Sequence, residues 1–212
     1  MAEGLALEAL RIRRGEETLV ALDARVAPGE VLTVMGASGS GKSTLLAAIV
    51  GTLAPDFRLT GRIRLDGREI TALRPERRRV GLLFQDELRL PQLAVAGSLA
   101  VGRPAGVRGR AARADRVEAA LQEVGLAGFG ARDPATLSGG QRARVALMRM
   151  LLAEPRALLL DEPFSRLDAG LRAQIRGLVF DRARARGLPV LLVTHDAADA
   201  EAANGPVLNL DG

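Results

Sequence analysis

Cysteine, tryptophan and tyrosine are absent from this chain of 212 residues, and histidine and lysine occur once each. Without cysteine there is no disulfide framework and no thiolate metal site, which fits a reducing compartment. Five phenylalanines are the only large aromatic side chains, so leucine, valine, alanine and isoleucine must build the core. Long hydrophobic runs are missing too: none approaches the ~20 residues that a membrane-spanning helix needs. The first ten residues carry two glutamates and no basic stretch ahead of an apolar one, so no secretory leader is read there. These absences describe a soluble, cytoplasmic protein, one domain or one domain with an inserted lobe.

The formal charge is +5, and Lys42 is the only lysine among 30 lysines and arginines. Arginines gather at 74–79 and 108–116, but acids or alanines interrupt both clusters and no aromatics interleave to stack bases. They read as solvated surface, with a face against an anionic membrane or a membrane protein as the second reading. No nucleic-acid partner is expected.

What is present is concentrated. Lys42 closes Gly36-Ala37-Ser38-Gly39-Ser40-Gly41-Lys42-Ser43, followed by Thr44, in the spacing G-x-x-x-x-G-K-[ST]. Glycines at those places let backbone N–H groups turn inward on phosphate oxygens, and a compact ammonium reaches the β and γ phosphates where a planar guanidinium fits poorly. The apolar run 31–35 before it and the helix-like run 44–50 after it supply the strand–loop–helix context the motif requires. Alternating stretches at 5–12, 18–26 and 60–65 read as strands, with a turn at Asp66-Gly67. From 91 to about 134 the pattern turns helical. Fully apolar short strands at 157–160 and 190–194, alternating with helices, predict a parallel sheet covered on both faces.

Two further segments carry chemistry. Leu158-Leu159-Leu160-Asp161 delivers a carboxylate to the end of a buried strand, where Asp161 and the Ser43 hydroxyl can hold Mg²⁺ and Glu162 can polarise a water. Leu137-Ser138-Gly139-Gly140-Gln141 reads as a helix N-terminus, with Ser138 as cap and glycines baring N–H groups: an anion receptor separate from the phosphate loop. With His195 closing the last apolar strand, this arrangement resembles the ATP-binding cassette (ABC) family along essentially the whole chain.

The resemblance implies an α/β fold: a P-loop NTPase core with a mainly parallel sheet, an N-terminal antiparallel β subdomain and an inserted α-helical subdomain. Core and β part would occupy 1–90 and 155–212 of a single ABC ATPase domain, the helical part about 91–137. It makes Gly36 to Thr44 the nucleotide loop and Gln85 a glutamine that touches Mg²⁺ and the water while reporting to a membrane partner. Glu162 becomes the general base, and His195 the switch on the γ-phosphate. Ser138, Gly139, Gly140 and Gln141 become the signature that reaches the nucleotide of a second copy, and Asp168 in Ser165-Arg166-Leu167-Asp168 belongs to a loop crossing between copies.

Two features depart from the family pattern. Most members stack an aromatic ring on adenine near a place that falls at Arg13-Arg14, where an arginine plane would have to stack instead. Arg166 stands where a small residue is usual. The segments 77–85 and 162–165 look like bacterial importers of small solutes, implying ATP and Mg²⁺, a homodimer, integral-membrane permease subunits, a periplasmic solute-binding protein, and a place on the inner face of the cell membrane. An exporter or lipoprotein-release ATPase is the alternative, with a non-transport ATPase acting on nucleic acid further off.

Overall fold

The computed structural model describes residues 3–84, 94–101, 109–165 and 167–210. Among them a five-stranded, all-parallel sheet runs in the order β6 (Val80–Phe84), β7 (Ala157–Asp161), β8 (Val190–Val193), β3 (Val31–Met35), β9 (Val207–Asn209). A second, antiparallel sheet of four strands runs β2 (Glu17–Val26), β1 (Leu5–Arg14), β4 (Phe57–Leu65), β5 (Arg68–Glu69).

Both faces of the parallel sheet are buried, and period-2 geometry divides its side chains between two cores. Leu158, Leu160, Val190 and Leu192 face the layer holding α5 (Gly139–Leu152) and α6 (Ala169–Ala185). Ala157, Leu159, Leu191 and Val193 face α1 (Lys42–Val50) and the antiparallel sheet. An unbroken apolar strand is what two covered faces demand, as the sequence predicts. The helical part, α3 (Val95–Val101) and α4 (Arg110–Glu123), packs on α5 and shares its core through Leu99, Leu121 and Val124. The short α2 (Pro75–Arg78) precedes β6, and α7 (Ala197–Ala203) follows β8.

Two local findings revise the sequence reading. Alternation in β1 fails at Ala9, because a bulge there (φ 46°) shifts the register so that Leu7 and Leu10 both point inward. In the 74–79 cluster, Arg77 and Arg79 are exposed as expected, but Arg78 is buried. Its guanidinium donates to the carbonyls of Ala48 (2.8 Å) and Ile49 (2.9 Å) at the end of α1, and to those of Thr71 (2.6 Å) and Leu73 (2.8 Å). Helix-end carbonyls have no partners of their own and carry partial negative charge, so a cation docks there without a carboxylate. Desolvation holds the Arg78 pKa below the ordinary arginine value.

Candidate active site

β3 ends at Met35, the chain turns through the glycine loop, and α1 begins at Lys42. Gly41 is required twice over. Its φ is 91°, and an added Cβ would lie 2.7 Å from Cγ2 of Val20 and 3.1 Å from the carbonyl oxygen of Leu19. The β2 strand therefore presses on the loop and fixes its path. Lys42 is only 8% exposed. Its ammonium donates to the carbonyls of Gly36 (2.6 Å) and Ala37 (2.5 Å) and sits 3.4 Å from the Ser40 hydroxyl oxygen. All three N–H donors thus point within the loop, onto two carbonyl oxygens and a hydroxyl.

Beside the loop, β7 presents Asp161 next to Ser43, and both line the same cavity. Burial, and then the neighbouring charge of Glu162, raise the Asp161 pKa above the usual carboxylate value, while Ser43 and Lys42 oppose the shift. A half-buried carboxylate beside a hydroxyl in one cavity, and disfavoured as an anion, suits a hard divalent cation. Among the described residues no three His, Cys, Asp or Glu side chains gather as a protein-only metal cage. Mg²⁺ is commonly held by one or two protein oxygens together with phosphates and water, and the Asp161 carboxylate and Ser43 hydroxyl are oxygens of that kind.

Glu162 leaves the strand in a left-handed conformation (φ 45°), with its N–H donating to the carbonyl of Val193 at 2.9 Å. Such backbone costs on the order of 1–3 kcal/mol in a non-glycine residue and is concentrated at functional sites. Here it aims the side chain across the end of the sheet. Nδ1 of His195 lies 3.0 Å from Oε1 of Glu162. An ionised carboxylate only accepts, so Nδ1 carries a proton, and Nε2 is turned away from Glu162. The His195 side chain is 65% exposed, open to whatever enters. Lys42, Ser43, Thr44, Asp161, Glu162 and His195 line one open cavity of about 330 Å³ together with loop glycines. Leu19 of β2 lines it too, a residue that sequence reasoning missed. Arg13 and Arg14 do not line it. Arg13 bonds Glu16, and Arg14 pairs with Asp56 at 3.1 Å and lies over the Phe57 ring.

The signature segment builds a second, separate place. Ser138 caps α5 in a reciprocal box: its hydroxyl accepts from the N–H of Gln141 (3.3 Å), and the Gln141 amide oxygen accepts from the N–H of Ser138 (3.0 Å). Gly139 and Gly140 open the helix, where N–H groups have no intrahelical acceptor. Gly140 is also a packing requirement, since a Cβ there would fall 2.5 Å from Cδ1 of Leu171 on α6. Asp168 caps α6, its Oδ1 accepting from the N–H of Leu171 at 3.0 Å. Ser138, Gly139, Gly140, Gln141 and Asp168 line an open groove of about 680 Å³ that shares no lining residue with the Lys42 cavity. Gln85 and Arg166 lie outside the described residues.

Comparison with known proteins places these features. Residues 19–165 match the family described as "ABC transporter". The uncharacterized ABC transporter ATP-binding protein YnjD of Escherichia coli is 51% identical over 174 residues, 82% of this chain and 80% of its own length. The thiamine import ATP-binding protein ThiQ of Cereibacter sphaeroides is 46% identical over 209 residues, 98% of this chain and 89% of that one. The Fe(3+) ions import ATP-binding protein FbpC of Streptomyces coelicolor is 43% identical over 210 residues, 98% of this chain and 60% of its own.

Proposed function

The chain belongs to the ABC transporter family, and from that premise we propose that two copies close into a two-fold symmetric ATPase that powers import of a small solute. It is an energy-coupling ATPase that hydrolyses ATP to drive transport. Lys42 and the loop N–H groups bind the phosphates, and Ser138 with the positive end of α5 completes the site of the other copy. Ser43 and Asp161, with Gln85 by the family resemblance, would hold Mg²⁺, which would supply charge neutralisation at the phosphates. Glu162 orients and deprotonates water, and His195, held by Glu162 through Nδ1, contacts the γ-phosphate. Asp168 lies on the loop that meets the second copy.

The observation that carries this reading is the gathering of Lys42, Ser43, Asp161, Glu162 and His195 around one cavity. Relatives named for import of thiamine and of Fe(3+) match nearly the whole chain, which favours an importer over an exporter. The reading gives the chain permease subunits and a periplasmic solute-binding protein as partners, and places it on the cytoplasmic face of the membrane. No described helix is long and apolar enough to cross a membrane. Glu162→Gln is expected to cut phosphate release by about 10²–10⁴-fold, the scale of a lost general base, while ATP binding measured with a fluorescent analogue persists. Near-normal hydrolysis in that variant overturns the assignment of Glu162. Reconstituted with its permease and solute-loaded binding protein, the native chain should hydrolyse ATP faster; stimulation by DNA or ribosomes instead would overturn the transport reading.

A further inference from the structure

Glu162 and His195 sit on two different loops leaving the sheet, and α6 is bolted to both. Arg172, in the first turn of that helix, bonds the Asp196 carboxylate through Nη1 and reaches the carbonyl of Ser165 through Nη2 at 3.4 Å. Asp196 directly follows His195. Ser165 in turn donates both its hydroxyl (2.9 Å) and its N–H (3.3 Å) to the carbonyl of Glu162. One turn along α6, Arg176 pairs with Asp199 at 3.0 Å, and the other oxygen of Asp199 accepts from the hydroxyl of Thr194, the residue before His195, at 3.1 Å.

The two pairs differ in setting. Asp199 is almost wholly buried, so the Arg176 pair resembles a structural tie within the fold. Arg172 and Asp196 are 26% and 30% exposed at the edge of the site, and Nε of Arg172 is buried without an acceptor. A buried N–H left unpaired is a cost, so something else must hold the guanidinium in this pose. Its two η groups do, each on a different loop. A fork of fixed geometry can span two acceptors; a single ammonium cannot do so with the same angles.

We propose that Arg172 is a positioning residue for hydrolysis: it sets the distance between the Glu162 loop and the His195 loop, and so the alignment of the pair that handles water and the γ-phosphate. This rests on the roles given to Glu162 and His195 above. Arg172 lines neither the cavity nor the groove, so its loss should leave nucleotide affinity alone. Displacing a reacting group by ~1 Å costs up to about 10²-fold in rate.

The test is steady-state ATPase kinetics, nucleotide-analogue binding and thermal melting on Arg172→Ala, Arg172→Lys, Asp196→Ala and the double variant Arg172→Ala/Asp196→Ala. The expected result is kcat lower by about 10–100-fold in each alanine variant, with KM for ATP changed by less than about threefold. The double variant should be no slower than the slower single one, because both remove one tie. Arg172→Lys should recover only part of the lost kcat. Unchanged kcat in Arg172→Ala overturns the proposal, and so does a loss shared equally by kcat, analogue binding and melting temperature, which marks a general packing role. If Arg172→Ala is fully active while Glu162→Gln is dead, only the positioning role fails. If Glu162→Gln itself turns over normally, the reading beneath it fails instead.

Discussion

On the reading proposed above, the Lys42 cavity and the Ser138 groove both meet an anion, and they do it by opposite means. The cavity brings formal charges together: a buried ammonium, two adjacent carboxylates and a histidine around one space. The groove has two charged side chains in its lining, and both serve the local fold. Arg144 donates to the carbonyl of Val124 and to the Gln174 amide, and Asp168 caps its own helix. What the groove offers is a helix terminus, a hydroxyl and backbone N–H groups. Full charges handle a group that must be neutralised and attacked, while dipoles suit one that is touched only when a partner delivers it. Two such places in one chain, with no residue in common, are what the proposed closure of two copies requires.

The largest effect that tests this comparison comes from mixing broken halves. Lys42→Ala and Ser138→Arg should each lower ATPase activity by more than about 10²-fold, since each removes or blocks groups stabilising the transferred phosphoryl charge. Mixed in equal amounts they should regain a substantial fraction of native activity, because a hybrid dimer contains one site with both intact halves. No recovery on mixing, measured as phosphate release against protein ratio, would mean that the halves do not meet across copies.

A second contrast concerns how the two helices that aim these sites are held. α5 is fixed at its N-terminus by a local box, whereas α1 has no side-chain cap at its start and is tied at its far end by Arg78. Arg78→Ala strips four carbonyls of a charged donor and opens space against Gly51. It should cost about 3 kcal/mol of stability. Ser138→Ala loses one cap and should cost about 1 kcal/mol. Urea denaturation of both variants measures the difference, and equal losses would show that the ends are held alike.

These cases also mark what was legible in the sequence. The phosphate loop could be read because its chemistry is local: glycine conformations, a lysine and a hydroxyl within eight consecutive residues. The parallel sheet could be read because two buried faces leave no room for polar alternation at 157–160. Arg78 could not, since its neighbours Arg77 and Arg79 are of the same type and only the tertiary approach of the end of α1 selects the middle one. The tie from Arg172 to Asp196 spans 24 positions, and its one sequence hint was an acid beside the single histidine. The bulge at Ala9 was hidden because a register shift leaves composition unchanged. Short-range chemistry is written in the order of residues; long-range pairing is decided by the packing of helices that many sequences could form.

The smallest expected effect lies within the charged cavity and asks whether its charge is a cost to the empty protein. The folded-state pKa of Asp161 is raised, by burial first and by Glu162 second. The folded chain therefore binds that proton more tightly than the unfolded one. The associated stabilisation is full below the unfolded carboxylate value and is lost as pH rises through the folded one. At neutral pH the ionised group is thus a net burden. Asp161→Asn should melt higher than the native chain in nucleotide-free buffer at neutral pH, by about 2–4 °C for each kcal/mol relieved. The gap should close as pH falls below the ordinary carboxylate range, where the native Asp161 is neutral as well. Magnesium and ATP should reverse the order, because Asp161 then meets the cation that its environment favours, while the amide gains little. The groove supplies the control: Asp168→Asn removes a carboxylate that caps its own helix, and should not melt higher at neutral pH. Melting curves of both variants across pH decide it. A lower melting temperature for Asp161→Asn at neutral pH would mean that the cavity's charges already balance one another in the empty protein.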